Sequence, residues 1–389
     1  MYYYAEEIIN RIKNSDEIAI FGAGIMSLGV ISCLTNVPYQ LSIRCCLVSD
    51  KKKNPACVLG IPVLDFTEAE AVLSKRALVL VAAMDKHRES MEHSVSQHGY
   101  RNFISLTYEG DLWSLIRGNT YIEMKRLQKK TYRILEEELD LFHEQNIGQT
   151  FAGLILEKPW QKRIKLYTVR SHADKKLQED LSKYFWEIPI QAGAELTEQQ
   201  VCEIRDNCGE HISYKNRQYC ELTALYWIWK NDNSSFVGLG HYRRHFELNE
   251  TIIEQLLVSD IDVVLTIPIF DYPSVKEVYF RDHVKEDWEV MMEAIHKYCP
   301  EYSGIAEQMQ DGRFYYAYNM FIMRREILEE YCAWLFPILF YCETYCKEKE
   351  DVYQNRYIGF LAEHLMSIYF MFHEDKYKIV HVTKHFIER

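Results

Sequence analysis

Residues 17–24, Glu-Ile-Ala-Ile-Phe-Gly-Ala-Gly, carry a short apolar run into a glycine-rich turn. That pattern predicts a buried strand feeding a helix over Ile25 to Leu34. Apolar runs then predict strands at Ile43 to Val48, ending beside Asp50, and at Val58 to Leu64. A helix near Thr67 to Leu73 and a strongly apolar strand over Ala77 to Ala83 follow. This alternation of strand and helix predicts a small Rossmann-like α/β domain ending near residue 115. Residues 120–146 are charged and nearly free of Gly and Pro, which predicts one connecting helix. The segment from Gly148 to Pro159 breaks that pattern. The expected organisation is therefore a first domain over 1–118, a helical linker over 119–150 and a second α/β domain over 151–389.

In the second half, Arg163 to Arg170 alternates as a first central strand, and Trp186 to Ala194 predicts a shorter strand and turn. Ser213 is placed to cap one helix running from Tyr214 to about Lys230. Further strands are expected over Asp260 to Pro268, Tyr315 to Met323 and Lys378 to Lys384, with helices over Glu250 to Leu257, from Arg325, and over Arg356 to Leu365. The stretch from Tyr272 to Lys285 has a loop-like composition, carrying Tyr279, Arg281, Asp282 and His283, and is a candidate acceptor-binding lid. Between these elements lies the most unusual segment, Phe236 to Phe246, an apolar strand running into two adjacent arginines flanked by histidines.

The chain has 389 residues, a net charge of −12 and eleven cysteines without a CxxC pair. The acidity argues against a general nucleic-acid binder, and the cysteine pattern predicts reduced thiols and a cytoplasmic protein. The N-terminal residues lack the basic and apolar regions of a signal peptide, and no uncharged run reaches membrane-spanning length.

Guanidinium groups at the rim of a buried strand call for an anion, and the expected one is a phosphate, so Arg243 and Arg244 are candidates to hold a leaving diphosphate. Ligands of open α/β sheets lie beyond the carboxyl ends of strands, which brings Thr168, Arg170 and His172 within reach of a nucleotide. His241 flanks the arginines, and Asn319 is presented by an aromatic strand. Asn216 and Glu221 are polar positions on an apolar helix, expected either to bind a donor or to lock the fold by hydrogen bonding. Glu363 stands on an otherwise apolar helix, where a carboxylate is costly unless it is paired or functional. Gly22, Gly24 and Asp50 sit where a Rossmann unit holds a nucleotide, although the glycine pattern departs from the full fingerprint. An NAD-dependent sugar oxidoreductase centred on those three residues is therefore one alternative. A non-catalytic glycan-binding or scaffolding subunit is another.

The stretches Asp206-Asn-Cys-Gly-Glu210, Lys215-Asn-Arg-Gln-Tyr-Cys-Glu-Leu-Thr-Ala-Leu-Tyr-Trp-Ile-Trp-Lys-Asn231, Gly240-His-Tyr-Arg-Arg244, Asn319-Met-Phe-Ile-Met323, Tyr331-Cys-Ala-Trp-Leu-Phe-Pro337 and Glu363-His-Leu365 resemble the bacterial domain-of-unknown-function 4422 family, over about residues 163–385. The first hundred residues loosely resemble accessory nucleotide-binding domains found beside bacterial sugar-modifying enzymes. The family resemblance implies a GT-A-like glycosyltransferase of capsule, exopolysaccharide or O-antigen synthesis. Its donor would be a nucleotide sugar, its acceptor a glycan or lipid-linked oligosaccharide, and its place the cytoplasm at the inner face of the membrane. It also implies an acidic residue on a late helix and a histidine near the C-terminus, for which Glu363 and His381 are the candidates. A divalent ion, Mn²⁺ or Mg²⁺, would be held by an Asp-x-Asp ending a central strand. Here that strand ends in His241-Tyr-Arg-Arg244, while Asp260-Ile-Asp262 begins a strand instead of ending one.

Overall fold

A computed structural model describes residues 2–145, 163–177 and 184–387. The chain divides into two compact units, Met1–Thr131 with Ile269–Tyr272, and Tyr132–Pro268 with Pro273–Arg389. The expected break from Gly148 to Pro159 lies outside the described residues.

The first unit holds β1 (Ile18–Phe21), β2 (Cys45–Val48), β3 (Cys57–Val58), β4 (Ile61–Asp65), β5 (Leu78–Ala83) and β6 (Phe103–Thr107) in the order β3-β4-β2-β1-β5-β6. All neighbours are parallel except β3 and β4. The parallel strands thus follow the doubly wound order, reversing direction of growth between β1 and β5. Every residue of β5 is buried, as a strand covered on both faces requires.

Two expectations for this unit are corrected. The single strand over Val58 to Leu64 is a hairpin, because Leu59 (φ 51°) and Gly60 (φ 80°) supply the two positive φ angles of a tight turn. The helix near Thr67 to Leu73 is one turn, Phe66–Ala69, started by an Asp65–Glu68 capping box. The connecting helix over 120–146 is likewise two helices, Asp111–Leu127 and Leu135–Gln145. Lys129 at φ 58° breaks the chain between them. Trp113 and Ile116 are buried in the first unit, whereas Leu135 and Leu139 join the core of the second.

The second unit is built on a nine-stranded sheet. Its strands are β7 (Ile164–Arg170), β8 (Glu187–Gln191), β9 (Ile204–Arg205), β10 (Phe236–His241), β11 (Arg244–Phe246), β12 (Val263–Thr266), β15 (Phe321–Arg324), β16 (Ile379–Val382) and β17 (Lys384–Phe386). Two short strands, β13 (Ile269–Phe270) in the first unit and β14 (Phe314–Tyr315) in the second, complete the numbering. The main path is β16-β12-β15-β10-β7-β8-β9, with β11 bridging β10 and β17. β15 is antiparallel to both β10 and β12. Helices Arg325–Tyr345 and Tyr357–Phe372 contribute to a large apolar cluster, and helices Glu250–Val258 and Leu135–Gln145 to a second one. Among the described residues no helix is long and apolar enough to cross a membrane.

The apolar strand expected from Phe236 to Phe246 is interrupted. β10 stops at His241, the chain turns through Tyr242 and Arg243, and β11 starts at Arg244, paired with His241. The guanidiniums thereby leave the buried centre of the sheet for its rim. The helix expected from Tyr214 is also broken, into Asn216–Tyr219 and Leu222–Asn231 around Cys220 (φ 51°). Ser213 does not cap it: its hydroxyl donates to Asp206 and accepts from the Glu195 N–H. The presumed loop at Tyr272 to Lys285 contains a helix, Val275–Asp282, capped by Ser274. The strand over Tyr315 to Met323 is split by the irregular stretch 316–320.

β10 is held between β7 and β15, and Gly238 sits at its tightest point. A Cβ there would lie 2.6 Å from Leu166 Cδ2 and 3.0 Å from Ile322 Cγ1. Gly238→Ala is expected to lower stability by about 1–3 kcal/mol through overpacking, read as a lower urea midpoint with an unchanged slope.

Candidate active site

The candidate site starts from an unusual stretch of backbone. Tyr318 (φ 73°) and Asn319 (φ 49°) are consecutive non-glycine residues with positive φ, immediately before β15. Such a conformation costs on the order of 1–3 kcal/mol per residue and persists only where surrounding contacts enforce it. The Tyr318 carbonyl accepts a hydrogen bond from His241 Nε2, and its backbone also hydrogen-bonds to the Glu363 carboxyl. Asn319 is buried, and its Nδ2 donates to Glu221 Oε1 at 2.6 Å and, more weakly, to the Gly359 carbonyl at 3.4 Å. One kinked dipeptide thus ties β10, the helix start at Glu221 and the helix Tyr357–Phe372 together.

Glu363 is only partly accessible, and burial pushes its carboxyl up to about 8, with the Glu221 charge adding to the rise. The Tyr318 hydrogen bond, Arg244 and Arg356 oppose that rise. Burial holds the His241 imidazole below its ordinary range, opposed by Glu221 and reinforced by Arg244. Glu363, Glu221, His241, Arg244 and Arg356 therefore form one electrostatic group. Cys220, at the helix break beside Glu221, accepts from Arg356 Nε at 3.1 Å, and burial pushes its thiol up to about 11.

The two adjacent arginines flank the Phe386 ring but differ in their other partners. Arg244 stacks over the Tyr318 ring, 4.2 Å from its centroid, and so belongs to the group around Glu363. Arg243 donates from Nε to the Ile387 carbonyl at 3.0 Å and lies 4.4 Å above the Phe386 ring. The hairpin carrying them is anchored by His245, whose Nδ1 is 2.7 Å from Glu187 Oε2; the same oxygen accepts from Thr168.

At the carboxyl end of β7 is a cavity of about 430 Å³ lined by Arg170, Ser171, His172, Lys175, Lys176 and Tyr242, among others. Arg170 Nε is buried and, among the described residues, has no hydrogen-bond partner. Among the described lining residues three cations stand against the carboxylate of Asp174, which makes this lining positive in an acidic chain. Tyr242 follows His241 directly, and its N–H bonds to the Val169 carbonyl at 3.2 Å. The β10–β11 turn thus belongs both to the cationic cavity and to the carboxylate group.

The remaining sequence candidates lie elsewhere or are engaged. Thr168 is buried against Glu187. Asn216 Nδ2 donates to the Cys220 carbonyl at 2.6 Å and to Thr223 Oγ1 at 3.0 Å, holding the helix break. His381 is buried on β16, with Nε2 3.0 Å from the Tyr316 hydroxyl and Nδ1 3.1 Å from the Arg133 carbonyl. Gly22, at φ 125°, has no room for a side chain beside Ser27 Oγ and the Ala82 carbonyl, whereas Gly24 opens the helix Ile25–Thr35 with free space around it. The Asp50 carboxylate caps the Lys51–Lys53 turn through the Lys52 N–H. Asp260 and Asp262 do not suit a metal: Asp262 is bonded to Arg324 Nε and to the Lys378 N–H, and Asp260 to Lys378 Nζ. Among the described residues no group of three His, Cys, Asp or Glu is arranged to hold an ion.

Sequence reasoning missed Tyr318, Arg356, Lys175, Lys176 and Tyr242. Lys175 and Lys176 carried a usable signal, two cations shortly after a central strand. Tyr318 carried none, because its role is one of backbone conformation.

The second unit has the α/β fold of a glycosyltransferase. The solved apo structure of WbbM, a bifunctional glycosyltransferase, is similar to this chain with a TM-score of 0.52 and 27% identity, over 58% of this chain and 45% of that one. The chain thus spans less than half the length of that structure. Residues 165–375, more than half of the chain, match the family described as Domain of unknown function (DUF4422), and the chain belongs to that family. No curated protein matches it.

The raised carboxyl of Glu363 has a consequence for stability. A group whose folded value lies above its unfolded one stabilises the fold fully below the unfolded value, near 4.5, and loses that contribution as pH rises through about 8. The difference in unfolding free energy between wild type and Glu363→Gln should therefore shift against the wild type from pH 5 to pH 9, by at most about 1.4 kcal/mol per pH unit. Urea titrations of both proteins at matched pH measure it; parallel curves would show that Glu363 titrates normally.

Proposed function

We propose that the chain is a glycosyltransferase with a GT-A-like catalytic domain, moving a sugar from a nucleotide donor, a UDP-sugar, to a hydroxyl of a glycan or lipid-linked acceptor in capsule, exopolysaccharide or O-antigen synthesis. The observation that carries this reading is the β10–β11 turn, which puts Tyr242 in the wall of a cationic cavity and His241 against the Tyr318 carbonyl in the group that holds Glu363. The family membership and the likeness to a bifunctional glycosyltransferase support it.

In this reading the nucleotide diphosphate lies against Arg170, Lys175 and Lys176, and Arg244 meets the charge that develops on the leaving oxygen. The acceptor oxygen attacks the anomeric carbon, the bond from that carbon to the diphosphate oxygen breaks, and the electron pair leaves with the diphosphate. The acceptor proton passes to Glu363, whose value near 8 makes it a competent base at mildly alkaline pH. Guanidinium and ammonium groups supply the positive charge that this step needs. Arg243 supports the turn from the side of the C-terminal strand. In the first unit, Gly22, Gly24 and Asp50 remain a proposed accessory nucleotide site.

Purified protein incubated with UDP-, GDP- and CDP-sugars, with EDTA or with Mn²⁺, should release the nucleoside diphosphate from a UDP-sugar. Arg244→Ala should lower turnover by about 10² or more while thermal unfolding stays cooperative. The rate should rise with pH towards a limb near 8 that is absent in Glu363→Gln. Stabilisation by NAD alone, with no donor cleaved, would favour the oxidoreductase; no response to either would favour a scaffold.

A further inference from the structure

Three aromatic rings stand together where the helix carrying Glu363 begins. Phe360 is one turn before Glu363 on the helix Tyr357–Phe372, so both point to the same face. His283 stacks on Phe360 with centroids 4.1 Å apart, and Tyr353 lies 5.2 Å from Phe360 and 5.9 Å from His283. The Tyr353 and His283 rings are tilted by only 24°. Tyr353 is 54% exposed and its neighbour Val352 84% exposed. Polar groups rim the rings: Arg356 lies with Cζ 5.6 Å from the Phe360 centroid, and Gln354 bonds back to His283 and to the Asp282 carbonyl. Tyr353 also lies within electrostatic reach of both Arg356 and Glu363.

We propose that Tyr353, His283 and Phe360 form a shelf that binds the pyranose ring of a glycan acceptor, holding its hydroxyl toward Glu363; the acceptor role rests on the transferase reading above. A pyranose has one face of C–H groups and an edge of hydroxyls. The electron-rich faces of aromatic rings attract the former, while Arg356 and Gln354 offer hydrogen-bond partners to the latter. A purely apolar partner, such as a protein helix, would offer nothing to the Arg356 guanidinium at the rim. His283 reaches the shelf from the C-terminal end of the helix Val275–Asp282.

Saturation-transfer NMR with methyl β-D-glucopyranoside, methyl β-D-galactopyranoside and methyl α-D-mannopyranoside tests the shelf without any donor. Wild type should transfer saturation to the ring C–H protons of at least one of them. Tyr353→Ala should weaken that binding at least tenfold with an unchanged melting temperature, and Tyr353→Phe should retain it. Wild-type binding to none of the three, binding by Tyr353→Ala equal to wild type, or loss in Tyr353→Phe equal to that in Tyr353→Ala would each overturn the shelf. If methyl glycosides bind through Tyr353 but wild type cleaves no nucleotide sugar, the shelf stands and the transferase reading fails.

Discussion

The peptide between Tyr318 and Asn319 is the constraint on which the candidate site depends. Left-handed backbone at two successive non-glycine residues is unfavourable by itself, so neighbouring contacts must hold it. Those contacts are made with candidate residues: His241, Glu363, Glu221 and, through the Tyr318 ring, Arg244. Relaxing the kink would release all four together. Strain and site are thus one feature, in keeping with the tendency of strained backbone to be retained where geometry has to be exact to a fraction of an ångström.

The surrounding fold divides the labour. The sheet provides a rigid floor, with β10 fixed between a parallel neighbour, β7, and an antiparallel one, β15. Strand ends on this floor deliver cations: Arg170 from β7 and Arg244 from β11. Helices deliver the acidic groups, Glu221 at the start of Leu222–Asn231 and Glu363 within Tyr357–Phe372. Buried polar anchors keep the two sets in place. Asp206 accepts from the Gly193 and Ala194 N–H groups and from Ser213, and Glu187 accepts from Thr168 and His245. Networks of this kind fix geometry because each buried member would otherwise stand unsatisfied.

Legibility varied with the range of the interaction concerned. The strands Ile164–Arg170 and Leu78–Ala83 and the helix Tyr357–Phe372 were plain from apolar periodicity, since each buries most of its length. The break at Cys220 and the turn at Leu59 were not, because neither residue type advertises positive φ. Arg243 and Arg244 stood out together as adjacent cations after an apolar run. Both reach the Phe386 ring, but only Arg243 bonds to the Ile387 carbonyl and only Arg244 lies over Tyr318. Asn216 was flagged as a polar residue in apolar company, and its amide holds the helix break.

By itself the sequence determined the α/β character of both halves, the central strands, and the isolation of Glu363 on an apolar helix. These follow from local periodicity and from the cost of burying charge, which act within a few residues. Only the tertiary structure decided which polar residues meet. Glu221 and Asn319 are 98 positions apart, and His241 and Tyr318 are 77 apart, yet each pair is hydrogen-bonded. Such contacts are set by sheet order and by a backbone kink that no residue type announces, so they emerge only when the whole chain has packed.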